Sequence, residues 1–151
     1  MFRNSPLSLY GWLALAAAFG SAGLAVAAWM LPRVPEAMCT LDEAHTLPSG
    51  LEARLCEVLT ETQPFTSEDW LVVRMVAPDV SLGEIEALRA DHDWICETIG
   101  LPAAAEAAAL PARIVIQLMA EPFPRGEPAP GIIQSIEAYS IADDVCIWEL
   151  L

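Results

Sequence analysis

Hydrophobic positions along the chain change period several times, and each change marks an element. Residues 7–31 are apolar or small throughout, with no charge between Arg3 and Arg33. Residues 70–76 form a β-branched apolar run closed by Ala77-Pro78, which reads as a strand. From 82 to about 99 the period becomes helical: Leu82, Ile85, Leu88, Ile95 and Ile99 share a face, with His92 and Cys96 beside them. Ser81 and Glu84 have capping-box spacing at its start, and Gly100 is expected to end it. Pro102 then opens a second short helix through the alanines of 103–109, closed by Pro111. Residues 113–119 are apolar enough for an interior strand. Pro122, Pro124, Pro128 and Pro130 make 121–131 a loop. Residues 132–141 and 145–150 form a hairpin around Ala142-Asp143-Asp144.

One run stays open between two readings. In residues 51–61, Leu51, Leu55, Val58 and Leu59 fit a helical face, and Ser49 with Glu52 could cap it. Alternation fits Leu51, Ala53 and Leu55 equally well, then breaks phase at Cys56 and Val58 as a bulge would cause. Either way the element order predicts an α+β domain. Its mostly antiparallel sheet has about five strands, one or two helices cover one face, and a hydrophobic N-terminal helix precedes it. The domain limits follow: residues 1–32 as signal peptide or anchor, 33–46 as linker, and 47–151 as an acidic α+β domain.

The N-terminal run is about 25 residues, long enough to span a hydrocarbon core. Tyr10 and Trp12 near one end and Trp29 near the other suit an uncleaved anchor. A signal peptide is the competing reading, with Arg3 as its basic end and Ala25-Val26-Ala27 as the cleavage motif. The apolar run continuing to Leu31 favours the anchor. Both readings export the same domain, to the periplasmic face of the inner membrane or to the free periplasm. Cys39 lacks a lipoprotein box in front of it.

Charge narrows the partners. The chain has 7 basic and 21 acidic residues, with a net charge of −14. Every basic residue is an arginine, and all the acidic residues lie from Glu36 onward. Nucleic acids and anionic lipid surfaces repel such a domain, whereas a basic partner suits it.

Cys39, Cys56, Cys96 and Cys146 are an even set behind an export signal, the pattern of a disulfide framework with three possible connectivities. Structural zinc sites bring cysteines in close pairs, which this chain lacks. The preferred pairing joins Cys96 to Cys146 and leaves Cys39 for Cys56. It closes a loop of about 50 residues and another of under about 20.

Short blocks in one order carry a family resemblance. They are Ser49-Gly50-Leu51-Glu52, residues 70–78, Ile95-Cys96-Glu97, Ile114-Val115-Ile116, Ile136-Glu137-Ala138-Tyr139 and Cys146-Ile147-Trp148-Glu149. From about Leu47 to the C-terminus the chain resembles a small alphaproteobacterial family of exported proteins, the domain-of-unknown-function family DUF6497. The resemblance implies a strand at 51–61 and a bridge between Cys96 and Cys146. It implies no activity and no cofactor.

Candidate chemistry is sparse. Asp91-His92-Asp93 holds the ingredients of general base catalysis, but neighbours in sequence do not face one another on a helix. Cys96 with His92, four residues apart, could form a nucleophile pair or a two-ligand metal clip, and a bridged sulfur could do neither. Asp143, Asp144 and Glu149 could offer oxygen ligands to calcium, though the spacing matches no such loop. Trp70, Trp94 and Trp148 are expected in the core, with Trp94 a contact residue if it falls outside the buried stripe. The expected function is a non-enzymatic protein-binding or accessory module, held to the membrane through residues 7–31. The alternatives are a small exported enzyme using His92 with nearby carboxylates, and an acidic dock for a basic redox carrier.

Overall fold

The structure, a computed structural model, describes residues 39–150. Six strands make one sheet in chain order: β1 (Glu43–Thr46), β2 (Glu52–Thr62), β3 (Asp69–Val76), β4 (Arg113–Met119), β5 (Gln134–Ala142) and β6 (Val145–Glu149). Neighbours are antiparallel except β3 and β4, which run parallel. A parallel pair needs a crossover, and the chain's helical segment supplies it. β3 and β4 are buried on both faces, which is why their sequences read as continuous apolar runs rather than alternating ones.

Several expectations need correction. Residues 43–46, assigned to the linker, form β1 against β2 and bring the sheet to six strands. The helix begins at Ile85 rather than Leu82, and no side chain caps it. Ser81 instead accepts a bond from the Gly83 amide, and Leu82 and Ile85 point into solvent. At the other end Gly100 terminates nothing. Helix α1 (Ile85–Ile95) runs into a π turn (Cys96–Gly100) and then α2 (Leu101–Glu106), with right-handed helical backbone at both junctions. The π turn lies directly before Pro102, where a proline ring would crowd the carbonyl of an ordinary helical turn. Gly100 is there for space: a Cβ on it would come within 2.8 Å of Ile114 Cγ2.

All but Leu51 of residues 51–61 belong to a strand, β2, and its phase break is a bulge between Leu55 and Glu57. Ala53, Leu55 and Val58 pack under the helix. The bulge turns both Cys56 and Glu57 to the opposite face, Cys56 beside Met119 and Phe123, Glu57 onto Arg74. Ser49 and Glu52 form no capping box; Ser49 bonds Asp91, and Glu52 accepts from the Thr46 hydroxyl.

The main core lies between the sheet and the helical segment. Leu71, Val73 and Met75 of β3 and Ile114, Ile116 and Leu118 of β4 meet Ile95, Cys96 and Ala104 there. Each such side chain removed from water contributes about 1.5–3 kcal/mol. Two disulfides close the frame, Cys39 to Cys56 across the bulge and Cys96 to Cys146 from helix to sheet. Among the described residues no helix is long and apolar enough to cross a membrane. The stretch 7–31 lies outside them.

Candidate docking surface

The face of the sheet away from the helix falls into two halves. Beneath residues 120–133 lies a polar network. Arg74, one hundredth exposed, donates from Nε to Gln117 Oε1 at 2.8 Å, from Nη2 to the Phe123 carbonyl at 2.6 Å, and from Nη1 to Glu57. Arg125 grips Glu61 through two bonds of 2.7 and 2.8 Å, and Gln117 donates to Gln134 at 2.8 Å. The direct bond from Arg125 holds the Glu61 carboxyl below its ordinary range, assisted by the charges of Arg125 and Arg74. These bonds fasten the proline-rich segment across β3 and β4.

Arg125 reaches from this network into the other half, bonding Glu61 opposite Trp70 as well as Gln117. There Val72, Val115 and Ala138 form a small buried cluster, with Leu59 and Trp70 packed against it. Toward β6 the face turns into exposed apolar side chains: Ile136 is 40% exposed, Ile147 48% and Val145 51%. Arg113 closes one border, bonding Glu149 at 2.8 Å and lying over the Trp70 ring.

A second feature concerns charge. Each of the five arginines among the described residues is engaged within the fold. Arg54 pairs with Asp42, Arg74 with Glu57, Arg113 with Glu149 and Arg125 with Glu61, while Arg89 lies over the Trp148 ring. The remaining carboxylates have no arginine partner among those residues, so the outward field is strongly negative.

The structure separates the residues singled out for catalysis. Asp91, His92 and Asp93 point three ways. Both Asp91 oxygens accept from Ser49, at 2.8 Å from its amide and 2.6 Å from its hydroxyl. His92 is fully buried; its Nδ1 donates to the Leu88 carbonyl at 2.7 Å, and Nε2 faces the Ser135 carbonyl at 3.5 Å. Asp93 accepts the Tyr139 hydroxyl at 2.7 Å, and burial followed by this bond raises that phenol well above its usual range. A cleft of about 190 Å³ opens nearby between Ser49, Asp79, Ser81, Glu84 and Asp91, and His92 does not line it. Cys96 is bonded to Cys146 and has no thiolate to offer.

Asp143 and Asp144 form the hairpin turn with left-handed backbone, while Glu149 turns to Arg113 at the far end of β6, so the three do not converge. No group of three potential metal ligands occurs among the described residues. Trp94 is half-buried and meets the His45 ring edge-on, Trp148 donates to Glu137 at 2.6 Å, and Trp70 lies on the open face.

The pattern described as a family of unknown function, DUF6497, matches residues 27–151. The chain belongs to DUF6497. No curated protein and no solved structure matches it. In this DUF6497 member the match starts upstream of the sequence blocks that suggested it, and so takes in β1 and Cys39 as well as the sheet they join.

Sequence reasoning missed the Arg74 network, although its trace was present. Arg74 and Gln117 each interrupt an apolar interior run, and the parallel register of β3 with β4 makes them neighbours. The pairing of strands was the missing information.

Proposed function

We propose that this chain is an exported, non-catalytic module that docks a basic protein through the exposed apolar side chains of β5 and β6. The observation that carries the reading is the pairing of two properties on one surface. Exposed apolar side chains at Ile136, Val145 and Ile147 adjoin a domain whose arginines are all engaged internally, leaving its carboxylates to face a partner. Apolar contact supplies affinity and the acidic surround supplies steering. The two disulfides favour an oxidising compartment, in agreement with export to the periplasmic side of the inner membrane. Residues 7–31 would tether the module there. A basic redox carrier is one partner with suitable chemistry.

The test is photocrosslinking in intact cells. A photoreactive side chain at position 136 or 147 of the full chain should capture a basic protein in a salt-sensitive way. The same group at Glu106, on α2, should not. Equal capture from both positions, or none from the sheet face, would overturn the reading. Intact mass before and after reduction, on protein from its own host, tests export: four free thiols would refute it.

A further inference from the structure

We propose that β6 is a template for strand addition: an extended segment of the basic partner joins the sheet beyond Val145–Glu149 as a seventh strand. The inference rests on the docking function proposed above and specifies how the partner is held.

Among the described residues β6 is the last strand of the sheet, paired on one side only. The two-residue turn at Asp143-Asp144, with φ of 51° and 60°, sets Val145 opposite Ala142. In an antiparallel hairpin of that length the backbone groups of Val145, Ile147 and Glu149 point to β5. Those of Cys146 and Trp148 therefore point outward. Five consecutive residues of β6 pair with β5 without a bulge, so the outward row is regular.

Natural edge strands are commonly blunted by lysine, proline, a bulge or brevity, and β6 has none of the first three. The opposite edge differs. β1 has only four residues, with the Asp42–Arg54 ion pair beside it.

β6 is also held in place before any partner arrives. Cys146 is bonded to the helical segment through Cys96, and Trp148 is fixed by Glu137 and by Arg89 stacked 4.2 Å from its ring centroid. A preformed edge reduces the ordering cost of binding.

Charge and side-chain pattern select the occupant. An added strand places alternate side chains beside Val145 and Ile147, which calls for apolar residues there. Asp143 and Asp144, both exposed, flank the N-terminal end of the edge and call for arginine or lysine next to it. A second copy, pairing antiparallel about a two-fold axis, would bring its Glu149 rather than a basic residue toward Asp143 and Asp144, and is disfavoured.

The experiment uses the full oxidised chain and a fluorescent peptide of alternating valine and arginine. A control peptide of identical sequence is N-methylated through its centre, which keeps its charge and removes its ladder donors. Strand addition predicts roughly tenfold or greater loss of affinity on methylation. It also predicts slowed exchange of the Cys146 and Trp148 amides with the unmodified peptide, and loss of both effects in Ile147→Lys. Equal binding of the two peptides would overturn strand addition while leaving charge-driven docking intact. Binding of neither peptide, with crosslinking at position 147 retained, would likewise overturn strand addition alone. A dimer seen by sedimentation and dispersed by Ile147→Lys would replace the basic partner with a second copy.

Discussion

Arg74 and Gln117 lie side by side on parallel strands, and the guanidinium Nε donates to the amide oxygen at 2.8 Å in the buried centre of the sheet. The same guanidinium reaches Glu57 on β2 and the Phe123 carbonyl in the covering segment, so one side chain links three strands to a loop. Removing one partner of a buried pair leaves the other charge stranded. Arg74→Ala is expected to cost about 3–5 kcal/mol in denaturant unfolding. It should also speed exchange of the Ala120 amide, which bonds the Ile133 carbonyl at the base of the segment. A loss below about 1 kcal/mol, within the range of surface pairs, would show that the network is dispensable.

Acid should loosen the same segment at its Arg125 latch. The folded-state pKa of Glu61 lies below its ordinary 4.5, chiefly through the Arg125 bond. The latch's contribution is therefore complete above the unfolded value and is lost as pH falls through the folded one. The stability advantage of the natural protein over Glu61→Gln should shrink steadily between about pH 6 and about pH 3. An advantage constant across that range would mean that the carboxylate does not carry the effect.

Gly100 allows the close approach of helix to sheet. Gly100→Ala would press a methyl group against Ile114, and overpacking of this kind costs about 1–3 kcal/mol. Ile114→Ala removes both the Cγ2 and the Cδ1 atoms that the methyl would meet, so the double variant should lose less than the sum of the two single changes. Additive losses in a double-mutant cycle would show that the two positions are not coupled.

The bridges should differ in worth. In the chain-entropy model the Cys96–Cys146 loop, with a separation of 50 residues, contributes about 4 kcal/mol. The Cys39–Cys56 loop, with a separation of 17, contributes about 3 kcal/mol. Paired serine replacements compared by thermal unfolding should therefore place the Cys96/Cys146 variant lower in Tm.

Particular residues explain what could be read in advance. The runs 70–76 and 113–119 were legible as strands because burial on both faces demands uninterrupted apolar sequence. The bulge showed as a phase break at Cys56 because side chains alternate with period two. β1 was hidden, since three of its four residues are exposed and its strand identity comes from pairing with β2. Gly100 was misread because a glycine after a helical pattern usually marks an end, and only the proximity of Ile114 reveals its other use. The docking surface was invisible for a related reason. Ile136 and Ile147 look like core residues until the fold places the covering segment over the other half of the sheet.

The positions of the two bridges also set the path of a mechanical load. A pull applied between the two ends of the chain enters at Cys39, crosses directly to Cys56, follows β2, β3 and α1 to Cys96, and leaves through Cys146. β1, β4 and β5 lie within the closed loops and cannot be drawn out while the sulfur bonds last. If a partner tugs on β6, the force passes into the helical segment through a covalent bond, and the hairpin is spared from unzipping.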